Sequence, residues 1–276
     1  MSKDHQKLYD AIKEDQKKVL LSTRTQVNLK KLKSCIMYLL QIASNPRIVS
    51  DPGFKQVVDR LGLSSLVSES SEKFKAVCKL TNELVSKGEK VLIWTNFVKN
   101  IDLLEAELSH LNPVYIDGRV GTGPADEVGT RKHKIQKFKT DPGCKVFIAN
   151  PAAASEGISL HINDKGEKVC STAIYLDRNF NSSQFLQSVD RIHRIGSKET
   201  PNVYIFKTTN SLDMRVQERL DEKVTAMMKL LEDVSLAPYI LNEEFHPKFE
   251  NDAGQHIQSA QSERVTKEEI KYYTSL

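Results

Sequence analysis

No apolar run in the sequence approaches membrane-spanning length, and the lysine-rich N-terminus has no apolar signal core. Neither a membrane partner nor a secretion signal is therefore expected. Cysteine is scarce: Cys35, Cys78, Cys144 and Cys170 are scattered with no paired spacing. That argues against a disulfide framework or a zinc site and fits reduced thiols in the cytosol or nucleus. Internal repeats and low-complexity segments are missing. So is the string Gly-x-x-x-x-Gly-Lys-Ser/Thr, and no Asp-Glu pair follows a suitable apolar strand. A self-contained phosphate loop with a magnesium-holding carboxylate is thereby excluded. The net charge of +4 is too small to prove a nucleic-acid partner.

What the chain does have is the balance of a globular protein, with 28% charged and 39% hydrophobic residues over 276 positions. Its charge is unevenly spread. Lys3, Lys7, Lys13, Lys17, Lys18, Arg24, Lys30, Lys31 and Lys33 dominate the start, whereas Glu232, Asp233, Glu243, Glu244, Glu250 and Asp252 crowd the end. Leu29, Leu32, Ile36, Leu39 and Ala43 repeat at helical spacing until Asn45-Pro46 stops them. Asp51 to Ser71 reads as a loop with a short helical piece. From Ser71 the pattern alternates. Strands are expected at Lys90–Thr95, Val114–Ile116, Lys145–Ala149, Ala173–Leu176 and Val203–Phe206, with helices between them. Leu212, Val216, Leu220, Val224, Met227 and Leu231 mark a long helix. Such alternation predicts an α/β fold, a parallel sheet with helices on both faces, preceded by an N-terminal helical segment. The expected divisions are a helical lead-in over 1–70, the sheet domain over 71–237 with a bracing helix at 211–232, and a partly loose tail over 238–276. Thr266-Lys267-Glu268-Glu269 is a capping-box signature for a short terminal helix.

The stretch Gln187-Ser188-Val189-Asp190-Arg191-Ile192-His193-Arg194-Ile195-Gly196 carries the sharpest chemistry. Read as helix, it puts Gln187, Arg191 and Arg194 on one face and turns Ile192 and Ile195 toward a core. Two forked, permanently charged donors on one helix suit a polyphosphate. The same spacing also describes a solvated amphipathic helix with Asp190 and Arg194 paired. Upstream, Ala152 to Leu160 follows a strand with small residues, among which Ser155 and Gly157 can offer N–H groups to phosphate oxygens. Thr95 and Asn96 end the first strand, where they either face a ligand or cap the next helix.

The Gln187–Gly196 string resembles the last ATPase motif of the Swi/Snf-type family of superfamily-two helicases, which are double-stranded DNA translocases. Further stretches resemble that family in the right order. Val91 to Phe97 is similar to its fourth motif, Asp117-Gly118 with Arg131, Ile135 and Phe138 to its Asp-Gly turn and Arg-led helix, Phe147 to Leu160 to its fifth motif, and Tyr175 to Asn181 to the segment between the fifth and sixth. Ser197, Phe180 and Ser182 depart from the usual Gln, Trp and Pro. The resemblance covers roughly Leu29 to Leu231.

It implies a RecA-like second lobe whose partner, a first lobe, keeps the phosphate loop and carboxylates that this sequence lacks. Arg191 and Arg194 are then expected to act as arginine fingers. Gln187, Glu156, Gly157 and Asp190 would line the nucleotide, and Thr95, Asn96 and Ser155 would hold DNA by its phosphates. ATP and Mg²⁺ would be shared with the first lobe, double-stranded DNA would be the other partner, and the chain alone would be inactive. The competing expectation is a non-catalytic nucleic-acid or protein interaction module on a helicase-like fold.

Overall fold

The structure, a computed structural model, describes residues 1–21, 29–49, 52–154, 158–192, 201–231, 249–250, 256–257 and 270–275. Its centre is a parallel sheet of β1 (Val91–Trp94), β2 (Val114–Ile116), β3 (Val146–Ala149), β4 (Thr172–Tyr175) and β5 (Asn202–Thr208), in the order β2-β3-β1-β4-β5. Every residue of β1, β3 and β4 is buried, as central strands covered on both faces must be. Alternate side chains take opposite sides. Leu92 and Trp94 face one core with Phe138 of α6 (Arg131–Thr140), Phe185 and Val189 of α7 (Ser182–Val189), and Val224 and Met228 of α8 (Leu212–Leu231). Val91 and Ile93 face the other core, with Phe74, Val77 and Leu84 of α4 (Glu72–Ser86) and Ile101 and Leu104 of α5 (Val98–Glu107). Each large apolar side chain buried here contributes roughly 1.5–3 kcal/mol.

Local signals set the boundaries. The Ser71 hydroxyl accepts from the Phe74 N–H and starts α4. Gly88, at φ +88°, ends it, so that the N–H groups of Gly88 and Glu89 reach back to the carbonyls of Val85 and Leu84. That pairing is a Schellman closure, and it needs a residue at ease with positive φ.

The lead-in consists of α1 (Lys3–Leu21), α2 (Leu29–Ser44) and α3 (Pro52–Arg60), which share a core of Leu8, Ile12, Ile42, Phe54 and Val58. The short helical piece expected between Asp51 and Ser71 is α3, where Phe54 and Val58 fall one turn apart and are both buried. The lead-in also docks on the sheet domain. Leu40 of α2 packs with Val216 and Leu220 of α8. The Thr208 hydroxyl donates to the Ala43 carbonyl at 2.7 Å, and the Leu212 N–H donates to the Tyr9 hydroxyl at 2.9 Å. Beneath this contact Lys73 and Asp213 form a buried ion pair at 2.5 Å.

At the other end, β6 (Phe249–Glu250) and β7 (His256–Ile257) pair antiparallel, and β8 (Ile270–Ser275) adds a parallel strand beside β5. The capping-box reading anticipated a helix here. Residues 266–269 lie outside the described set, and those that follow pair with a sheet edge, a tertiary choice that overrides a local signal. Among the described residues, no helix is long and apolar enough to cross a membrane.

Candidate functional site

The C-terminal ends of β1, β3 and β4 meet along one edge of the sheet, where loops of a parallel α/β sheet gather. At their centre is Asp177, 4% exposed, just past β4. One carboxylate oxygen accepts from the Asn96 N–H at 2.6 Å and from Asn96 Nδ2 at 3.0 Å. The other accepts from the Thr95 hydroxyl at 2.6 Å, the Ser44 hydroxyl at 2.8 Å and Asn100 Nδ2 at 3.2 Å. A buried carboxylate costs several kcal/mol of desolvation unless donors surround it, and here five do. Ser44 brings in α2, so the lead-in helix is tied directly to the sheet edge.

This arrangement turns Thr95, expected at the DNA, inward. Its hydroxyl is fully buried and donates to Asp177 while accepting from the Phe97 N–H, so it offers no donor to a phosphate. Asn96 is also committed inward: its amide nitrogen serves Asp177, its Oδ1 accepts from Asn179, and its carbonyl accepts from Asn150 Nδ2. What the first strand's loop does present is the start of α5, which has no side-chain cap, with Val98 and Lys99 exposed.

The Asp-Gly turn is a second tied corner. Arg119 donates to Asp117 through its N–H at 2.8 Å and its guanidinium at 2.9 and 2.6 Å, and reaches Asp102 of α5 at 2.7 Å. Burial pushes the Asp117 carboxyl up, but these bonds outweigh it and hold the group below its ordinary value. The Arg-led helix is used in the same way. Arg131 donates to the carbonyls of Val120 and Ala153 at 3.0 and 3.1 Å, pinning two loops. Beside it a cavity of about 420 Å³ is lined by Arg131, Lys132 and Lys139, with Ile135, Ala153 and Ile158 as apolar wall.

Helix α7 begins on Asn181, whose side chain accepts from the Gln184 N–H. It is anchored by the Ser188 hydroxyl, 2.6 Å from that of Tyr175 on β4. Gln187 and Asp190 are exposed. The helix ends at Val189, one residue before Asp190, so Arg191 sits in a turn rather than on a continuing helical face. The single-face geometry expected of Gln187 and Arg191 is replaced by a helix end followed by a turn. Ile192 is buried, as its apolar spacing predicted. Arg191 is half-buried. Its carbonyl accepts from the Leu160 N–H at 2.9 Å and its Nη1 donates to the Ile158 carbonyl at 3.4 Å. The turn after α7 is therefore stitched to the segment leaving the small-residue loop. Ser155, Glu156, Gly157 and Arg194 lie outside the described residues.

The long helix α8 backs this edge. Gln217 accepts from Arg178, and Lys223 donates to the Phe180 carbonyl. Both contacts fix the loop between β4 and α7. Asp177, Asn150, Asn179 and Ser44 are the residues that sequence patterning missed. Asp177, Asn179 and Asn150 lie in stretches that resemble the family, but beyond that the hint was their type, short polar side chains at strand and helix ends.

Residues 72–196 match the helicase conserved C-terminal domain. A probable ATP-dependent helicase of Plasmodium falciparum is 31% identical over 194 residues, covering 70% of this chain and 8% of that protein. The human lymphoid-specific helicase is 28% identical over 205 residues, covering 74% and 23%. The chain thus spans less than a quarter of either relative. In fold alone, the crystal structure of the C-terminal part of the Fun30 ATPase domain is similar, with a TM-score of 0.58 at 21% identity over 80% of this chain and 86% of that one. The chain carries a helicase C-terminal domain, its relatives are Swi/Snf-type helicases, and its parallel sheet has the RecA-like fold.

Proposed function

We propose that the chain is the second ATPase lobe of an ATP-dependent double-stranded DNA translocase, and that it completes a nucleotide site held by a first lobe. The observation that carries this reading is the end of α7. A half-buried guanidinium, Arg191, is braced by the segment between β3 and β4 while Gln187 and Asp190 stay exposed beside it. This donor set fits a polyphosphate, because a forked cation with a fixed stem needs little reorganisation to meet phosphoryl oxygens. Arg191 and Arg194 stabilise charge on the transferring phosphoryl group. Gln187 and Asp190 orient them, and Glu156 and Gly157 border the nucleotide. When bound, ATP with magnesium supplies the phosphoryl chemistry. ATP and magnesium are shared with the first lobe.

DNA is gripped by its backbone, without base reading. Ser155 and the exposed start of α5 with Lys99 take the phosphates, a helix N-terminus being suited to an anion. Thr95 and Asn96 hold that start in place from behind. Closing and opening of the interlobe cleft ratchets the duplex, with α8 bracing the lobes. Such a protein works in the nucleus or cytoplasm.

The test is ATP turnover. The chain by itself is expected to hydrolyse no ATP, with or without duplex DNA, and to gain DNA-stimulated turnover when mixed with a first-lobe polypeptide. Robust turnover by the chain alone defeats this reading. The inward commitment of Thr95 and Asn96 gives some support to a second one, a non-catalytic interaction module. Duplex binding that a first lobe leaves unaltered, with no turnover, would favour it.

A further inference from the structure

Asn179 lies between β4 and α7, and neither the sequence patterning nor the proposed chemistry uses it. Its Nδ2 donates to two oxygens on separate elements. One is Asn96 Oδ1 at 2.9 Å, in the loop after β1. The other is Gln184 Oε1 at 2.9 Å, in the first turn of α7. Its own Oδ1 accepts from the Asn181 N–H at 2.9 Å, setting the turn that starts the helix. At 2.9 Å both links are direct hydrogen bonds with no room for an intervening water.

The two ends of this bridge carry different cargo. Asn96 is bonded to Asp177 and Asn150, and through them to α2, to α5 and to the turn that leads into the small-residue loop. Gln184 belongs to an eight-residue helix that ends two residues before Arg191. A planar amide that donates both protons fixes the spacing of its two acceptors, since moving one strains or breaks the bond to the other. Asn96 cannot compensate by turning its amide over, because its Nδ2 already serves Asp177.

We propose that Asn179 is a positioning residue that couples the loop after β1 to the helix presenting Arg191. Resting on the translocase reading, this makes it the element inside the second lobe by which DNA engagement adjusts the arginine.

Two measurements test it. The first uses the chain alone and needs no nucleotide. Asn96→Ala disturbs one end of the bridge, and amide hydrogen exchange over residues 182–189 reads the other. With Asn179 present, Asn96→Ala raises that exchange by about twofold or more, the size of coupling found between contacting residues. In an Asn179→Asp background, which keeps the acceptor for Asn181 and loses both donated protons, Asn96→Ala adds nothing. An α7 that responds equally in both backgrounds, or in neither, overturns the proposal.

The second uses the chain reconstituted with a first lobe. Asn179→Asp lowers DNA stimulation of turnover by about threefold or more, a typical effect for a residue on a coupling path. The chain's affinity for duplex DNA stays within about twofold. A proportional fall in basal and stimulated rates, or unchanged stimulation, overturns the functional part. If wild-type protein shows no DNA-stimulated turnover while α7 still responds to Asn96→Ala only through Asn179, the translocase reading has failed and the physical link stands.

Discussion

Two polar clusters lie along the same sheet edge, and they are built in opposite senses. At the end of β1, Thr95 and Asn96 turn inward and spend their hydrogen bonds on Asp177, Asn150 and Asn179. At the end of α7, Gln187 and Asp190 turn outward, and Arg191 is half-buried against the Ile158 carbonyl. Both stretches resemble helicase motifs as strings of letters, the one ending α7 more specifically. The difference shows that a motif residue can act by shaping the edge rather than by touching what binds there. Inward groups are held by desolvation, since each unpaired buried donor costs about 1–3 kcal/mol. Outward groups such as Gln187 and Asp190 are exposed, and the end of α7 that carries them sets their place.

The largest effect tests the outward cluster. Arg191→Ala or Arg194→Ala, in chain reconstituted with a first lobe, is expected to lower ATP turnover by about 10³-fold or more, the range found for arginine fingers. Folding stability should hardly change. Unaltered turnover in both variants removes the finger assignment. The inward cluster should behave conversely. Asp177→Ala leaves buried donors on Ser44, Thr95, Asn96 and Asn100 without their acceptor, and urea unfolding should report a loss of about 3 kcal/mol or more. Gln187→Ala, at an exposed position, should stay within about 0.5 kcal/mol of wild type in the same assay. Equal losses for these two variants would erase the contrast.

A finer cut separates shape from contact within the inward cluster. Thr95→Val keeps the volume and removes the bonds to Asp177 and Phe97. It should cost about 1–2 kcal/mol of stability, and duplex affinity measured on the folded variant should stay within about twofold. A tenfold loss of affinity with stability intact would return Thr95 to the DNA surface.

Much of this molecule was legible in its sequence because its elements follow period. Val114–Ile116 was read with its observed limits, and α8 follows its apolar stripe from Leu212 to Leu231. The Asn45-Pro46 stop and the Gly88 closure are local chemistry and were equally readable. What escaped is tertiary. The Ser44–Asp177 bond joins residues 133 apart, and no window of sequence contains both. Asp177 lies in a stretch, Tyr175 to Asn181, matched only as a string and given no role. The inward turn of Thr95 was hidden for the same reason: its direction depends on a carboxylate 82 residues away. The end of α7 was read too far because helical spacing continues in the letters beyond Val189, while the chain turns to meet Leu160.

The smallest expected effect sharpens the contrast by asking whether an inward group's charge is tied to folding. His5 is a third inward group, 6% exposed on α1, with Nε2 bonded to the Ile42 carbonyl at 2.6 Å. Burial lowers its pKa from the usual value near 6.5. The Ile42 bond opposes this, the N-terminal amine and Lys73 add to it, and Asp213 works against it. The folded state therefore holds fewer protons on His5 than the unfolded chain does. Stability from this group is full above about pH 6.5 and is lost as pH falls through the lowered folded value. Urea midpoints taken at successively lower pH should fall further for wild type than for His5→Leu, whose difference curve isolates this residue from all other titrating groups. The loss should register as weakened packing of α1 on α2, because the Ile42 carbonyl is where the two helices meet the imidazole. Parallel curves for the two proteins would mean that His5 is as indifferent to its surroundings as a surface group, and that burial on this side of the molecule does not govern charge.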